Sequence, residues 1–278
     1  MQEISVVYQD DDLLILNKPA GVVVNRAQTV ATETIQDWIE KHVPEVAEKR
    51  YPEGWQKMIP NDFSDEYGTP EDIFAARTGI AHRLDKDTSG VFVCAKHPGA
   101  LLSLLTQFRE RTVQKRYTCL THGKFALPQG EVNVPLGRKS NDRKAFAVVA
   151  DGRPALTKYA VESFYPEIDE AALMSAAHLK KKPRLTMYQG FSLVSCWPKT
   201  GRTHQIRVHM AHLQHPLVGD SKYVGKKRAR ADELWCPRQF LHAAEIELTH
   251  PRTRARATFT APLAEDLQAA LEFLIPSL

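Results

Sequence analysis

"AHRLDKDTSGVFVCAK", residues 81–96, sets a charged run directly against an apolar one. Arg83, Asp85, Lys86 and Asp87 crowd the first half, and the second half is strand-like from Val91. The D-x-T-S-G ending reads as a turn delivering the chain into that strand, because Asp and Ser side chains hydrogen-bond backbone groups two residues on. Asp87 serves that turn. Asp85 is less well explained by it, since Arg83 and Lys86 crowd it without fixing a turn. A loop at the entrance of a rigid strand suits a reactive group, so Asp85 is the first candidate for function.

Outward from this stretch, the pattern is mainly that of strands. "SVVYQ" (5–9) and "LLILNK" (13–18) read as two short strands around the acidic turn "DDD". In "KPAG", Pro19 fixes φ and Gly21 permits a positive one. Residues 31–43 carry Ile35, Trp38, Ile39 and Val43 at helical spacing. Residues 44–75 are polar and rich in Pro, Gly and aromatics, and are expected to form an irregular insertion. Further strands are expected at 91–96, 115–123, 143–164, 190–198, 239–251 and 254–262. Helices are expected at 99–111, 203–214 and 265–274, with Thr203 as an N-cap and Ile206, Met210 and Leu213 on one apolar face. Residues 166–188 read as a second loop or helical insertion. Strands joined by short turns and outnumbering helices predict an α+β fold around a largely antiparallel sheet.

Composition narrows the classes of function. The chain has 278 residues, 43% hydrophobic and 25% charged, ordinary for a globular protein with a sizeable core. No apolar run approaches the roughly 18 residues of a membrane span, and the start lacks a basic segment followed by a long apolar one. A cytoplasmic location is expected. Cys94, Cys119, Cys196 and Cys236 are far apart with no C-x-x-C pair, so they read as packing residues. The net charge of +4 is mild. Its distribution says more: "RKSNDRK" (138–144), "KKKPR" (180–184) and "GKKRARA" (225–231) concentrate cations. Three such stretches point to a polyanion partner.

"GRTHQIRVHMAHLQHPLVGD" (201–220) holds Arg202, His204, Arg207, His209, His212, His215 and Asp220. It lacks the H-E-x-x-H pattern, and Arg207 would oppose a divalent ion there. A helix facing an anionic ligand suits the segment better, with Arg202, Thr203 and the first amides at its positive end. Arg207 lies one turn deeper, within reach of a carboxylate partner. Ser89 lacks a G-x-S-x-G setting, which argues against a serine hydrolase. No G-x-G-x-x-G or P-loop implies a nucleotide cofactor.

Taken together, these motifs resemble the RluA family of pseudouridine synthases. "NKPAGVVVN" (17–25) is similar to its K-P-x-G segment, and residues 81–96 to its H-R-L-D-x-x-T-S-G signature. "VQKRYTCLTHG" (113–123) is similar to its K-x-Y segment, and "GRPALTKYAV" (152–161) to its G-x-x-A-x-T segment. The stretches 198–220 and 240–251 resemble its late motifs. The resemblance implies a single catalytic domain over 1–278 with insertions near 44–75 and 166–188. The implied fold is a mixed, mostly antiparallel sheet in two halves, with flanking helices and a central RNA-binding cleft. It implies an RNA isomerase acting on structured rRNA or tRNA as a monomer, with no cofactor, no metal and no membrane. A catalytically silent RNA-binding or chaperone protein on the same fold is the alternative. By resemblance Asp85 is the catalytic aspartate and Arg83 helps fill the space of the flipped uridine. Tyr117 packs on the base, and Arg207 pairs with the aspartate. Lys18 stays outside the catalytic set, and the histidines of 204–215 read as structural or RNA-facing. The family often carries an N-terminal S4 domain; here the motifs begin within the first twenty residues, so a stand-alone catalytic domain is expected.

Overall fold

The structure is a computed structural model, and it describes residues 3–28, 30–139, 142–176, 178 and 185–277. The first elements are β1 (Ser5–Gln9), β2 (Leu13–Lys18), α1 (Ile35–His42), α2 (Pro44–Ala47) and α3 (Pro70–Arg77). Next come β3 (Ser89–Ala95), α4 (Pro98–Glu110), β4 (Gln114–His122), β5 (Gln129–Asn133) and β6 (Leu136–Lys139). β7 (Asp142–Val148), β8 (Leu156–Tyr165), β9 (Glu167–Ile168), α5 (Glu170–Ala176) and β10 (Phe191–Pro198) follow. The chain closes with α6 (Gln205–His212), α7 (Lys226–Asp232), β11 (Leu241–Thr249), β12 (Arg256–Thr260), α8 (Glu265–Glu272) and β13 (Leu274–Ile275). The α+β class with mostly antiparallel pairing is therefore as the sequence predicts.

The chain divides into two compact units: residues 1–114 with 243–262, and residues 115–242 with 263–278. In the first, β1, β2, β3 and β11 are neighbours in that order, and β12 pairs with β11. β2 and β3 are buried almost throughout. That matches their near-continuous apolar runs, because a strand covered on both faces has no polar side to show. β1 is exposed along its length and carries the sheet's edge. α1 and α3 each begin on a capping box, Thr34 with Asp37 and Thr69 with Asp72. Each box satisfies two of the amides left free at a helix start.

In the second unit β4, β10, β8 and β5 are neighbours in that order, and the three pairs are antiparallel. One core gathers Leu120, Leu173, Phe191, Trp235, Phe240 and Leu267. Another gathers Cys119, Val194, Cys196, Ile206 and Met210, with Tyr117 and Leu213 packed against it. The four cysteines are buried and free, as packing residues should be.

Two expectations need correction. Residues 44–75 are not irregular: they hold α2, α3 and two 3₁₀ turns at Trp55–Met58 and Asp65–Tyr67. Val46, Trp55, Met58 and Phe74 are buried, so this segment adds to the core of its unit. It packs closely: a Cβ on Gly99 of α4 would stand 2.2 Å from the Trp55 carbonyl oxygen. Thr203 is not the N-cap of α6. His204 occupies that position, with φ of 56° and no capping side chain. Of the three basic stretches, 225–231 lies largely in α7. Of the other two, residues 180–184 lie outside the described residues, as do 140 and 141 within 138–144. The second insertion is a short strand, β9, and α5, with Ile168, Leu173 and Leu185 buried.

Candidate active site

In the first unit the 82–90 stretch is sewn down residue by residue. His82 accepts the Val93 N–H at its Nε2 (3.0 Å) and stacks on Phe92 and Phe108, 4.6 and 5.0 Å away. Leu84 is buried, while Arg83 is exposed and Asp85 is half-buried. The Asp85 carbonyl accepts the Thr88 N–H at 3.1 Å, which closes the turn. Thr88 and Ser89 are buried behind it. Gly90 has φ of +114°, and a Cβ there would stand 2.2 Å from the Ala243 carbonyl oxygen. Only glycine lets β3 begin there.

The turn is also held from β2. Lys18 is 0% exposed, and its Nζ donates to the carbonyls of Pro19 (2.8 Å), Val22 (2.9 Å) and Lys86 (3.0 Å). The Gly21 N–H donates to the same Lys86 carbonyl at 2.9 Å. Lys18 lies opposite Gly90 in the β2–β3 register. An ammonium has three N–H donors, and here the three carbonyls match them. Lys18 is thus a clip fixing the loop that carries Asp85. Lys18→Met should unfold at lower urea, by about 2–4 kcal/mol, because a buried charged donor to three carbonyls is lost. Turnover should fall with it. An unchanged urea midpoint would show that the clip carries no stability.

In the second unit, Tyr117 lies on β4 opposite Cys196 of β10, half-buried against the Cys119, Ile206 and Met210 cluster. Lys115 precedes it by two and so shares its face of the strand. Burial, and then the charge of Lys199, push the Lys115 ammonium down to about 8. α6 is started by a side chain from within it. Gln205 Oε1 accepts from Thr200 Oγ1 (2.7 Å) and the Arg202 N–H (3.0 Å). Its Nε2 donates to the Leu156 carbonyl and to Thr157 Oγ1, both at 3.0 Å. Arg207, buried one turn in, donates from Nε and Nη2 to the two Asp220 oxygens at 2.7 and 2.8 Å. Tyr223 lies 5.2 Å from the guanidinium and receives its charge on the ring face. Asp220 is 1% exposed, so this is a desolvated, two-pronged ion pair.

Asp85 and Arg83 belong to the first unit, and Tyr117 and Arg207 to the second. Three of the four histidines of 204–215 have work of their own. His209 Nδ1 bonds Thr157 Oγ1 at 2.9 Å, His215 bonds the His122 carbonyl at 2.9 Å, and His204 bonds the Tyr223 hydroxyl at 2.7 Å. Among the described residues, one group has the spacing to hold a metal ion: Asp10, Asp12 and His250. Asp12 already receives Arg252 at 2.8 and 2.7 Å and His97 at 2.9 Å. Asp10 bonds two amides and His250. This is how the acidic turn after β1 is neutralised and pinned.

A sequence model described as RNA pseudouridylate synthase matches residues 12–212, nearly three quarters of the chain. The chain belongs to this family. It is an RNA pseudouridine synthase, an isomerase. It is 34% identical over 272 residues to an uncharacterised RNA pseudouridine synthase, YlyB, of Bacillus subtilis, covering 98% of this chain and 73% of that one. It is 33% identical over 279 residues to ribosomal large subunit pseudouridine synthase D of Vibrio parahaemolyticus, covering 98% and 70%. The synthase fold is shared with human RNA pseudouridylate synthase domain containing 1. That likeness has a TM-score of 0.66 at 24% identity, covering 99% of this chain and 89% of that chain. Among the described residues of this pseudouridine synthase no helix is long and apolar enough to cross a membrane.

Three residues of the synthase went unassigned from sequence. Asp220 stood in the 201–220 constellation without a role, and a carboxylate thirteen residues beyond an arginine gives no local signal of pairing. Lys18 had only its place before Pro-x-Gly. Gln205 resembles any polar first-turn residue until β8 is packed beside it.

Proposed function

We propose that the synthase converts uridines of ribosomal RNA to pseudouridine, with Asp85 as the acting carboxylate. Arg83, Tyr117 and Arg207 hold the target nucleotide, and Arg207 supports the charge of Asp85. The observation that carries this is the fixing of the Asp85 turn by Lys18, His82 and Gly90 around a half-buried carboxylate. The name of the Vibrio relative, a ribosomal large subunit enzyme, supports the choice of RNA.

The reaction breaks the N1–C1′ bond, turns the uracil and joins C5 to C1′. A proton leaves C5 and one arrives at N1, so nothing is oxidised and no group is lost. A carboxylate serves either by attacking as a nucleophile or by taking a proton. The base must first leave its stack, at a cost of a few kcal/mol. Tyr117 offers a face on which stacking is worth roughly 1–3 kcal/mol. Tyr117→Ala should therefore lower kcat/KM by about 10- to 100-fold, and Tyr117→Phe by far less. Equal losses in a tritium-release assay would remove packing as its role. The substrate is named by mapping pseudouridines in RNA from cells with and without the gene. A ribosomal site should vanish and return with wild type but not with Asp85→Asn; a site that vanishes only from tRNA would overturn the ribosomal assignment.

A further inference from the structure

The chain from Ser221 to Ala231 holds Lys222, Lys226, Lys227, Arg228 and Arg230, and no acid. α7 is formed from this run against its local electrostatics. Its first turn has no acidic residue, and no side chain caps its start at Gly225. Cations near a helix N-terminus oppose the macrodipole, and like charges four apart, as at Lys226 and Arg230, repel. Lys226, Lys227 and Arg230 are exposed and share one side, and among the described residues no carboxylate pairs with them.

The helix exists because it is held at both ends. Asp220 precedes the run and is locked on Arg207. Asp232 ends it and is fully buried. Its Oδ1 accepts the Tyr188 hydroxyl at 2.7 Å, and its Oδ2 bonds His122 Nε2 and the Gly219 N–H, each at 3.0 Å. Trp235 and Cys236 follow it into the core. A segment whose local preferences conflict with its conformation, while the fold spends two buried carboxylates on it, marks a functional element.

We propose that the Lys226, Lys227 and Arg230 side of α7 binds the phosphate backbone of the substrate RNA outside the target nucleotide. Phosphates supply the counter-charge for these three exposed cations. The anchor at Asp220 ties this surface to the position of Arg207, so backbone contact and base handling are set by one rigid segment. The inference rests on RNA being the substrate.

The test is a Lys226→Gln/Lys227→Gln/Arg230→Gln variant, with Lys226→Arg/Lys227→Arg as the charge-keeping control. Binding to transcribed large-subunit ribosomal RNA is measured by fluorescence anisotropy across a salt series, beside steady-state turnover. The triple variant should bind at least about tenfold more weakly near 0.15 M salt. Its plot of log Kd against log salt should be shallower by about 2, since each phosphate contact contributes roughly 0.7–0.9. KM should rise while kcat at saturating RNA stays within about twofold, and the control should match wild type. The triple variant should melt close to wild type, because Lys226 and Lys227 oppose the helix dipole while Arg230, in the last turn, favours it. Equal affinity and equal salt slope for wild type and triple variant would overturn the proposal. So would polyglutamate competing as well as RNA, since the surface would then take any acidic chain. If wild type binds RNA through α7 yet forms no pseudouridine in the ribosomal transcript, the surface stands and the substrate assignment fails.

Discussion

Asp85→Asn should abolish pseudouridine formation while leaving the fold and RNA binding in place. The amide keeps the carboxylate's shape and can neither attack nor take a proton at neutral pH. A loss of about 10³-fold or more in kcat is expected, at the upper end of what a positioned acid–base group contributes. RNA affinity should stay within about threefold. The melting temperature should stay close to that of wild type, because the amide keeps the shape of the carboxylate and the turn is also held by the Lys18 ammonium, the His82 ring, the Asp85 carbonyl and the Thr88 amide. Single-turnover tritium release from C5-labelled RNA separates chemistry from product release. Residual activity within tenfold of wild type would mean that another carboxylate does the chemistry.

Asp220→Ala should be the most damaging change in the second unit. It leaves the Arg207 guanidinium buried without the two oxygens it now meets. Removing one partner of a buried pair costs about 3–5 kcal/mol, because the remaining charge stays desolvated. For a fold with some 5–15 kcal/mol of total stability this is a large fraction. Urea denaturation should show the midpoint falling, and kcat should fall as Arg207 loses its fixed direction. Asp220→Asn keeps one acceptor oxygen and should recover part of the stability. If Asp220→Ala unfolded with wild-type urea dependence, the pair would be no more than a surface-like contact.

The regular strands and amphipathic helices were legible because their periods are written locally. β2, β3 and α4 follow directly from apolar runs and spacing. The helical turns of 44–75 were not, because their anchors, Val46, Trp55, Met58 and Phe74, fall at no single period. α7 was missed for a related reason: a helix polar on nearly every side shows no stripe. The start of α6 was misplaced because its amides are organised by Gln205 and β8 rather than by a capping residue in sequence. At the site, the motifs singled out Asp85, Tyr117 and Arg207. Lys18 reaches the Asp85 turn through the Lys86 carbonyl, sixty-eight residues on, and Asp220 meets Arg207 from beyond α6; spacing encodes neither contact.

The facing of Lys18 and Gly90 across two strands has a consequence for how this chain can vary. The position of Asp85 is referenced to a strand register, so the length of the 55 residues between the two motifs, 26–80, does not set it. Lengthening a connection whose ends are already fixed adds little entropy, about 0.6 kcal/mol per doubling. Exposed turns between residues 25 and 78 can therefore be lengthened while the buried Val46, Trp55, Met58 and Phe74 keep their places, with Asp85 acting as a fixed datum. A one-residue slip of β2 against β3 would do what such a large insertion does not: it would turn Lys18 to the opposite face and leave the datum unmoored.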